Sequence, residues 1–249
     1  MNIYVCVKQT PDTEARIRLA GDGATIDPSD VKFIVSPYDE IAIEAALQTC
    51  EGNGEGEVTL VSMGDESTAE TLRAGLAMGA HGAILLRGEA TMDGLATAKA
   101  LAAELGGVEA PLILFGVKAV DDDQQQVGAM VATLLRRPCV TSVGDFELGD
   151  GSVKCRRGVE GGTEVVEVDL PAVLTIAKGK FEPRYASLKG IMAAKRKPLD
   201  EKDSQGAKSR LTVRDLSYPP ERPAGKVVGE GPDAVPELVR LLREEAKAL

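Results

Sequence analysis

The densest run of ligand-binding groups in the chain is Gly116, Val117, Lys118, Ala119, Val120, Asp121, Asp122, Asp123, Gln124, Gln125, Gln126 and Val127. It follows an apolar run, Pro111–Phe115, and leads into helical spacing at Val127, Met130, Val131 and Leu134. A buried strand therefore ends at a glycine, and a polar loop opens onto a helix start. In open α/β sheets that place suits phosphate, because the first-turn N–H groups of a helix lack internal partners. The three adjacent aspartates suit the helix dipole but repel a phosphate, so charge alone points to an over-provided N-cap. A second candidate is Ser36, Pro37, Tyr38 and Asp39, followed by Glu40. Here a helix start offers N–H groups and Tyr38 a stacking plane; alone, the motif reads as a plain N-cap. The chemistry on offer is binding, not bond-making.

Other chemistries find little support. One histidine, His81, sits in Gly79-Ala-His-Gly82 and reads as a turn residue. With no G-x-S-x-G, no P-loop and no pyrophosphatase Ser-Gly-Gly-x-Asp-Ser signature, hydrolytic and phosphoryl-transfer chemistry lacks its residues. Gly52-x-Gly54-x-Gly56 precedes a strand, where a dinucleotide fingerprint follows one, and so reads as a turn. The cysteines (Cys6, Cys50, Cys139, Cys155) are far apart and form no C-x-x-C, which suggests buried thiols in a reducing compartment. No metal-ligand spacing occurs. A net charge of −10 argues against nucleic acid or anionic membrane as partner. No window approaches the ~20 apolar residues of a membrane span. The N-terminus reads as a strand, with no basic segment of a secretory signal. Four Phe, four Tyr and no Trp leave few planes for a flavin, so a flavin's surroundings would come mostly from elsewhere.

The elements that must position the two motifs alternate. Ile3–Val7, Val58–Met63, Ala83–Leu86 and Leu112–Phe115 read as strands, each followed by a helical pattern: Ile43, Ala46, Leu47, Cys50; Leu72, Gly75, Leu76, Gly79; Leu95, Ala98, Ala102, Leu105; then the helix after the Gly116 loop. Pro37 stands at a first helical position, and Ser67-x-x-Glu70 is a capping-box pattern. Four strand–helix units predict a parallel sheet with right-handed crossovers. Beyond Pro138 the rhythm changes to an antiparallel meander, Val140–Leu148, Val153–Arg157 and Val165–Leu170, after which Ala172–Ile176 returns to the main sheet. From Lys178 to Ser217 the chain is polar and core-poor, which leaves two readings: disorder, or an arm packed on a partner. Helical spacing resumes in Pro236–Leu249 at Leu238, Leu241 and Leu242.

The Gly116–Gly128 block, with Asp121-Asp-Asp-x-x-Gln126-x-Gly128, resembles the nucleotide loop of the electron transfer flavoprotein β subunit. The resemblance runs almost end to end. Val5-Cys-Val-Lys-Gln9, Ser36-Pro-Tyr-Asp-Glu40-Ile-Ala, Leu76-Ala-Met-Gly-Ala80, Leu170-Pro-Ala-Val-Leu174 and Glu182-Pro-Arg-Tyr-Ala-Ser-Leu188 are all similar to motifs of that family, the last to its recognition loop.

The resemblance implies a doubly wound, mostly parallel Rossmann-like sheet of the adenine-nucleotide α-hydrolase-like kind, with the meander and an extended C-terminal arm. Residues 1–198, including a recognition loop at 178–198, would form the nucleotide-binding domain, and 199–249 an arm and helix on the α subunit. It implies AMP in this subunit, with contacts from Cys6, Ser36–Asp39, Met63 and Gly116–Val127, and FAD held mainly by the α subunit. Arg184, Tyr185 and Leu188 would dock acyl-CoA or related dehydrogenases, and electrons would pass to a membrane quinone oxidoreductase, as in fatty acid oxidation. The chain would be a carrier, not an enzyme, working in the cytoplasm or, in a eukaryote, the mitochondrial matrix. Flavin-bifurcating members instead place FAD in this site and show Asp-Gly-Asp-Thr-Ala-Gln-Val-Gly; here Asp122 replaces the glycine and Gln124 the threonine, so AMP is favoured. An enzyme using an adenine nucleotide on the same sheet, or a homodimeric AMP sensor, are the rival readings. The basic run Lys195-Arg-Lys197 has two readings, compensation of a helix C-terminus or guidance toward acidic dehydrogenases.

Overall fold

A computed structural model describes residues 1–88, 93–205, 208–221 and 224–249. In chain order the elements are β1 (Asn2–Cys6), β2 (Gln9–Pro11), β3 (Phe33–Val35), α1 (Pro37–Asn53), β4 (Glu57–Gly64), α2 (Thr68–Met78), β5 (Gly82–Arg87), α3 (Gly94–Leu105), β6 (Leu112–Gly116), α4 (Val127–Leu135), β7 (Cys139–Leu148), β8 (Ser152–Val159), β9 (Gly162–Asp169), β10 (Ala172–Ile176), α5 (Leu188–Ala194), β11 (Leu199–Asp203) and α6 (Val235–Glu244). One nine-stranded sheet has the order β11-β5-β4-β1-β6-β10-β7-β8-β9, and β2 and β3 form a separate antiparallel pair. From β11 to β7 all neighbours are parallel; β7, β8 and β9 form the antiparallel meander, continuous with the main sheet.

Period-two alternation explains the two layers. Ile3, Val5, Leu60, Leu112 and Leu114 point to a core completed by Ile43 and Leu47 of α1 and Leu72 and Leu76 of α2. Their chain neighbours Cys6, Val61, Ile113 and Phe115 point the other way, to Leu101 and Leu105 of α3 and Val131 of α4. Strands buried on both faces read as unbroken apolar runs, as these do. Each fully buried Leu or Ile stabilises the fold by roughly 1.5–3 kcal/mol.

Several local expectations are corrected. Ser67 makes no side-chain cap on α2; its hydroxyl donates to Asp65 Oδ1 at 2.6 Å, and the Ser67 N–H donates to the same oxygen at 2.9 Å. Asp65 outcompetes the capping box by taking both Ser67 donors in a local side-chain turn ahead of the helix. Gly79, read as a helical position, lies just past α2 with φ 140°. On α4 the buried residues are Gly128, Val131 and Ala132, while Leu134 is exposed.

The polar segment after Lys178 is ordered at home through residue 205. Ser187 caps α5 by accepting the Gly190 N–H at 3.0 Å, and Ala194 is buried against the main core. Arg73 of α2 donates to the carbonyls of Ala194 (2.7 Å) and Lys197 (2.6 Å), and Lys197 Nζ donates to Leu76 O (3.0 Å) and Ala80 O (2.5 Å). Lys197 thus compensates the C-terminal end of α2, the neighbouring helix. β11 then pairs with β5 at the sheet edge, so the chain leaves the sheet after Asp203. Residues 206–207 lie outside the described residues. The last segment runs over the surface: Leu216 N–H donates to Gly23 O (2.7 Å), Tyr218 OH accepts from Leu19 N–H (3.1 Å), and Leu211, Val213 and Val227 are exposed.

Candidate nucleotide site and the comparisons

The order of the sheet reverses between β1 and β6: from β1 the chain moves outward through β4 and β5, then returns to place β6 on the other side. At such a switch point the loops leave in opposite directions and open a crevice at the carboxyl ends of the strands. A cleft of about 190 Å³ occupies that place. Its walls come from Cys6 at the end of β1 and Lys8 just past it, Met63 and Gly64 of β4, Gly94 and Thr97 of α3, Phe115 and Gly116 of β6, and Thr175 of β10. The loop after β6 closes it with Val117, Lys118, Ala119, Asp122, Gln124, Gln125, Gln126 and Val127.

Three chain segments are tied together by Asp39. Its buried carboxylate accepts the Lys8 N–H at 2.7 Å and the Gly116 N–H at 2.9 Å, joining the ends of β1 and β6 to the start of α1. Burial pushes this carboxyl up to about 7, against the pull of the two N–H donors and the Lys8 charge. Gly116 has to be glycine: a Cβ there would lie 2.7 Å from Tyr38 C and 2.8 Å from Asp39 N. Gly128 is equally confined, a Cβ falling 2.8 Å from Thr175 Cγ2 and 3.2 Å from Phe115 Cγ.

The aspartates do not cap α4. Lys8 Nζ lies 2.8 Å from Asp121 and 2.9 Å from Asp122, and Lys118 Nζ lies 2.8 Å from Asp123. The N-cap of α4 is Gln126, with no side-chain cap bond and no acid in the first turn, so the helix start faces the cleft without a competing anion. Asp123 (φ 52°) and Gln125 (φ 54°) hold left-handed backbone, each at a cost of order 1–3 kcal/mol. Strain of that kind collects at ligand clamps.

Of the residues expected at the site, Cys6, Asp39, Met63, Gly116–Ala119, Asp122 and Gln124–Val127 line the cleft. Ser36, Pro37, Tyr38, Val120, Asp121 and Asp123 do not. Ser36 is buried, its N–H donating to Lys8 O at 3.0 Å and its hydroxyl unpaired among the described residues; Pro37 opens α1. Tyr38 is half-buried with Lys118 Nζ 5.8 Å above its ring. Lys8, Gly94, Thr97 and Thr175 were not anticipated. Lys8 carried one usable signal, its position just past the C-terminal end of a strand at the centre of the sheet. Burial, and behind it the Asp39 charge, raises the Cys6 thiol well above its ordinary value, which favours the neutral form. His81 serves its turn, Nδ1 accepting the Val58 N–H at 3.0 Å.

The electron transfer flavoprotein domain family matches residues 23–205. The electron transfer flavoprotein subunit beta of Bradyrhizobium diazoefficiens is 39% identical over 249 residues, all of both chains. That of Syntrophomonas wolfei is 39% identical over 94% of this chain and 92% of its own, and the mitochondrial subunit beta of Arabidopsis thaliana 39% over 99% of each. The chain belongs to the electron transfer flavoprotein β-subunit family. It is accordingly an electron-carrier subunit rather than a catalyst, and its family implies an α-subunit partner. Among the described residues no helix is long and apolar enough to cross a membrane, and no three His, Cys, Asp or Glu side chains form a metal-binding group.

The docking residues implied by the resemblance part company. Tyr185 and Leu188 are 99% and 83% exposed. Arg184 is turned inward onto Glu44 and Glu51 of α1, so its side chain is engaged within the subunit.

Proposed function

We propose that this β subunit holds AMP in the switch-point cleft, forms one wall of a flavin site whose FAD belongs mainly to the α subunit, and docks acyl-CoA or related dehydrogenases through Tyr185 and Leu188. Electrons then leave to a membrane quinone oxidoreductase, in the cytoplasm or, in a eukaryote, the mitochondrial matrix. The observation that supports AMP is the start of α4, free of a side-chain cap and bordering a cleft whose aspartates are already neutralised by Lys8 and Lys118. Residues fit the group: Gly116 and Gly128 leave room that a Cβ would fill. Asp122 stands at the cleft wall where bifurcating relatives carry glycine, and a side chain there hinders the close backbone approach that a pyrophosphate needs. The core-poor surface arm after residue 205, with Leu211, Val213 and Val227 exposed, suits packing on the α subunit. AMP would supply no redox chemistry there; Cys6, Met63 and the Gly116–Val127 loop would hold it.

The test is the nucleotide content of loop variants. Gly128→Val should displace Thr175 or Phe115 and lower AMP retained after gel filtration, and Asp122→Gly should loosen the loop and admit FAD. AMP at one per heterodimer in both variants would place its cradle elsewhere.

A further inference from the structure

Residues 181–187 carry no regular secondary structure, yet hold Tyr185 and Leu188 out from the surface. An apolar side chain offered at a fixed height has to be supported from beneath. At one end Phe181 is buried with its ring centroid 5.4 Å from that of Phe146; at the other Ser187 caps α5. Between them stands Arg184. Its N–H and Nε donate to Glu44 Oε2 at 3.2 and 2.7 Å, and Nη2 donates to Glu44 Oε1 at 2.9 Å. Nη1 and Nη2 donate to Glu51 Oε1 and Oε2 at 2.6 and 3.0 Å. One guanidinium therefore forks onto two carboxylates.

Glu44 and Glu51 lie two turns apart on one face of α1, so both present oxygens to the same guanidinium plane. Glu44 is 3% exposed as a side chain, and it also accepts from Gln48 at 2.8 Å. A buried carboxylate deprived of its cation is strongly destabilised, which makes the pairing reciprocal: the loop needs α1, and Glu44 needs the loop. Burial pushes the Glu44 carboxyl up, and the hydrogen bonds from Arg184 and Gln48 with the Arg184 charge together more than reverse it; Arg184 also holds Glu51 below its ordinary value. The first turn of the same helix carries Asp39, beside the nucleotide cleft.

We propose that Arg184 is a positioning residue for electron transfer, clasping α1 so that Tyr185 and Leu188 are presented to the dehydrogenase at a fixed height and in register with the nucleotide cleft. This rests on reading 182–188 as the docking loop. Arg184 itself does not reach the partner: Nε, Nη1 and Nη2 are all engaged within the subunit.

The test uses the assembled heterodimer with the acyl-CoA dehydrogenase of the same organism, comparing Arg184→Met, Arg184→Lys, Glu51→Gln, Arg184→Met with Glu51→Gln, and Leu188→Ala. Arg184→Met is expected to raise the half-saturating dehydrogenase concentration about fivefold to tenfold. The limiting rate and bound nucleotide should be unchanged, and amide exchange should speed up at residue 184, whose N–H donates to Glu44, but not in β1 or β6. Arg184→Lys, a point charge without the fork, should fall between. Glu51→Gln should move docking the same way by less, and the double variant should be no worse than Arg184→Met alone. Should Arg184→Met fail to fold, Arg184→Lys and Glu51→Gln decide by the same readouts. Unchanged exchange at residue 184 overturns the clasp. Tighter docking in Glu51→Gln, or additive losses in the double variant, makes Arg184 a direct partner contact and overturns the proposal. Docking weakened by Leu188→Ala but not by Arg184→Met, with exchange faster, overturns positioning alone. Docking unmoved by both shows instead that the loop reading has failed, and the proposal falls with it.

Discussion

Asp39→Asn separates the staple at the sheet's switch point from an ordinary surface carboxylate. Both carboxylate oxygens accept a backbone N–H, from Lys8 at 2.7 Å and Gly116 at 2.9 Å. An asparagine amide can accept only one and turns its own donors on the other, so one buried N–H loses its acceptor at a cost of roughly 1–3 kcal/mol. The pH dependence adds a second signature. Burial raises the folded carboxyl to about 7, from an ordinary 3.8. Between those values the folded chain keeps a proton that the unfolded chain has released, so this group's contribution to stability is present at low pH and is lost as pH rises toward 7. The variant lacks that contribution. Wild type should therefore exceed Asp39→Asn by about 2 kcal/mol more at pH 5 than at pH 7. Urea unfolding followed by circular dichroism at one fixed protein concentration measures both. A gap that stays constant over this range, or widens toward pH 7, would refute a proton held by burial.

Gly116→Ala should cost roughly 2–4 kcal/mol, since the new methyl group must displace the Tyr38–Asp39 backbone and lengthen the staple; a shift of urea midpoint equivalent to under about 0.5 kcal/mol would mean that β6 and α1 are not in contact. Lys8→Met should change stability by no more than about 1 kcal/mol, its ion pairs being partly exposed. Nucleotide affinity should nevertheless fall about tenfold, because Asp122 at the cleft wall, with Asp121 beside it, loses its cation; equilibrium dialysis with AMP checks it, and unchanged affinity would detach Lys8 from the site. Leu188→Ala should weaken dehydrogenase docking more than tenfold, as for a pocket-filling anchor costing ~2 kcal/mol or more, with folding and bound nucleotide intact; an unaltered dependence of electron transfer on dehydrogenase concentration would make Leu188 a local packing residue.

What could be read from the residues alone was what local periodicity encodes. The apolar runs at Ile3, Val58, Ala83 and Leu112 and the helical spacings between them gave the parallel half of the sheet, and the Gly149–Gly151 turn gave the meander. The Gly116 loop was found because a glycine closes a strand there. The rest depends on contacts distant in sequence, which leave no periodic trace. Lys8 meets Asp121 and Asp122 only once β1 and β6 are neighbours, and without it the acidic run looks like a cap. Arg184 looks like a free docking charge until α1 brings Glu44 and Glu51 beneath it. β11, with the sequence Leu-Asp-Glu-Lys-Asp, is too polar to read as a strand; it pairs at an edge, where one face stays in water and Lys202 and Glu201 find Glu104 and Arg87. Asp65 displaced the capping box at Ser67 by a local competition that spacing rules do not rank.

The central claim, an electron-carrying β subunit with AMP in its own cleft and FAD supplied mainly by a partner, is tested most directly by a nucleotide inventory. The chain would be produced alone and together with its α subunit, each product purified, acid-denatured, and the released nucleotides quantified by chromatography. The account predicts a colourless chain when produced alone, and one AMP with one FAD for each heterodimer. Two FAD and no AMP in the heterodimer, or a stable yellow chain holding stoichiometric FAD by itself, would contradict it.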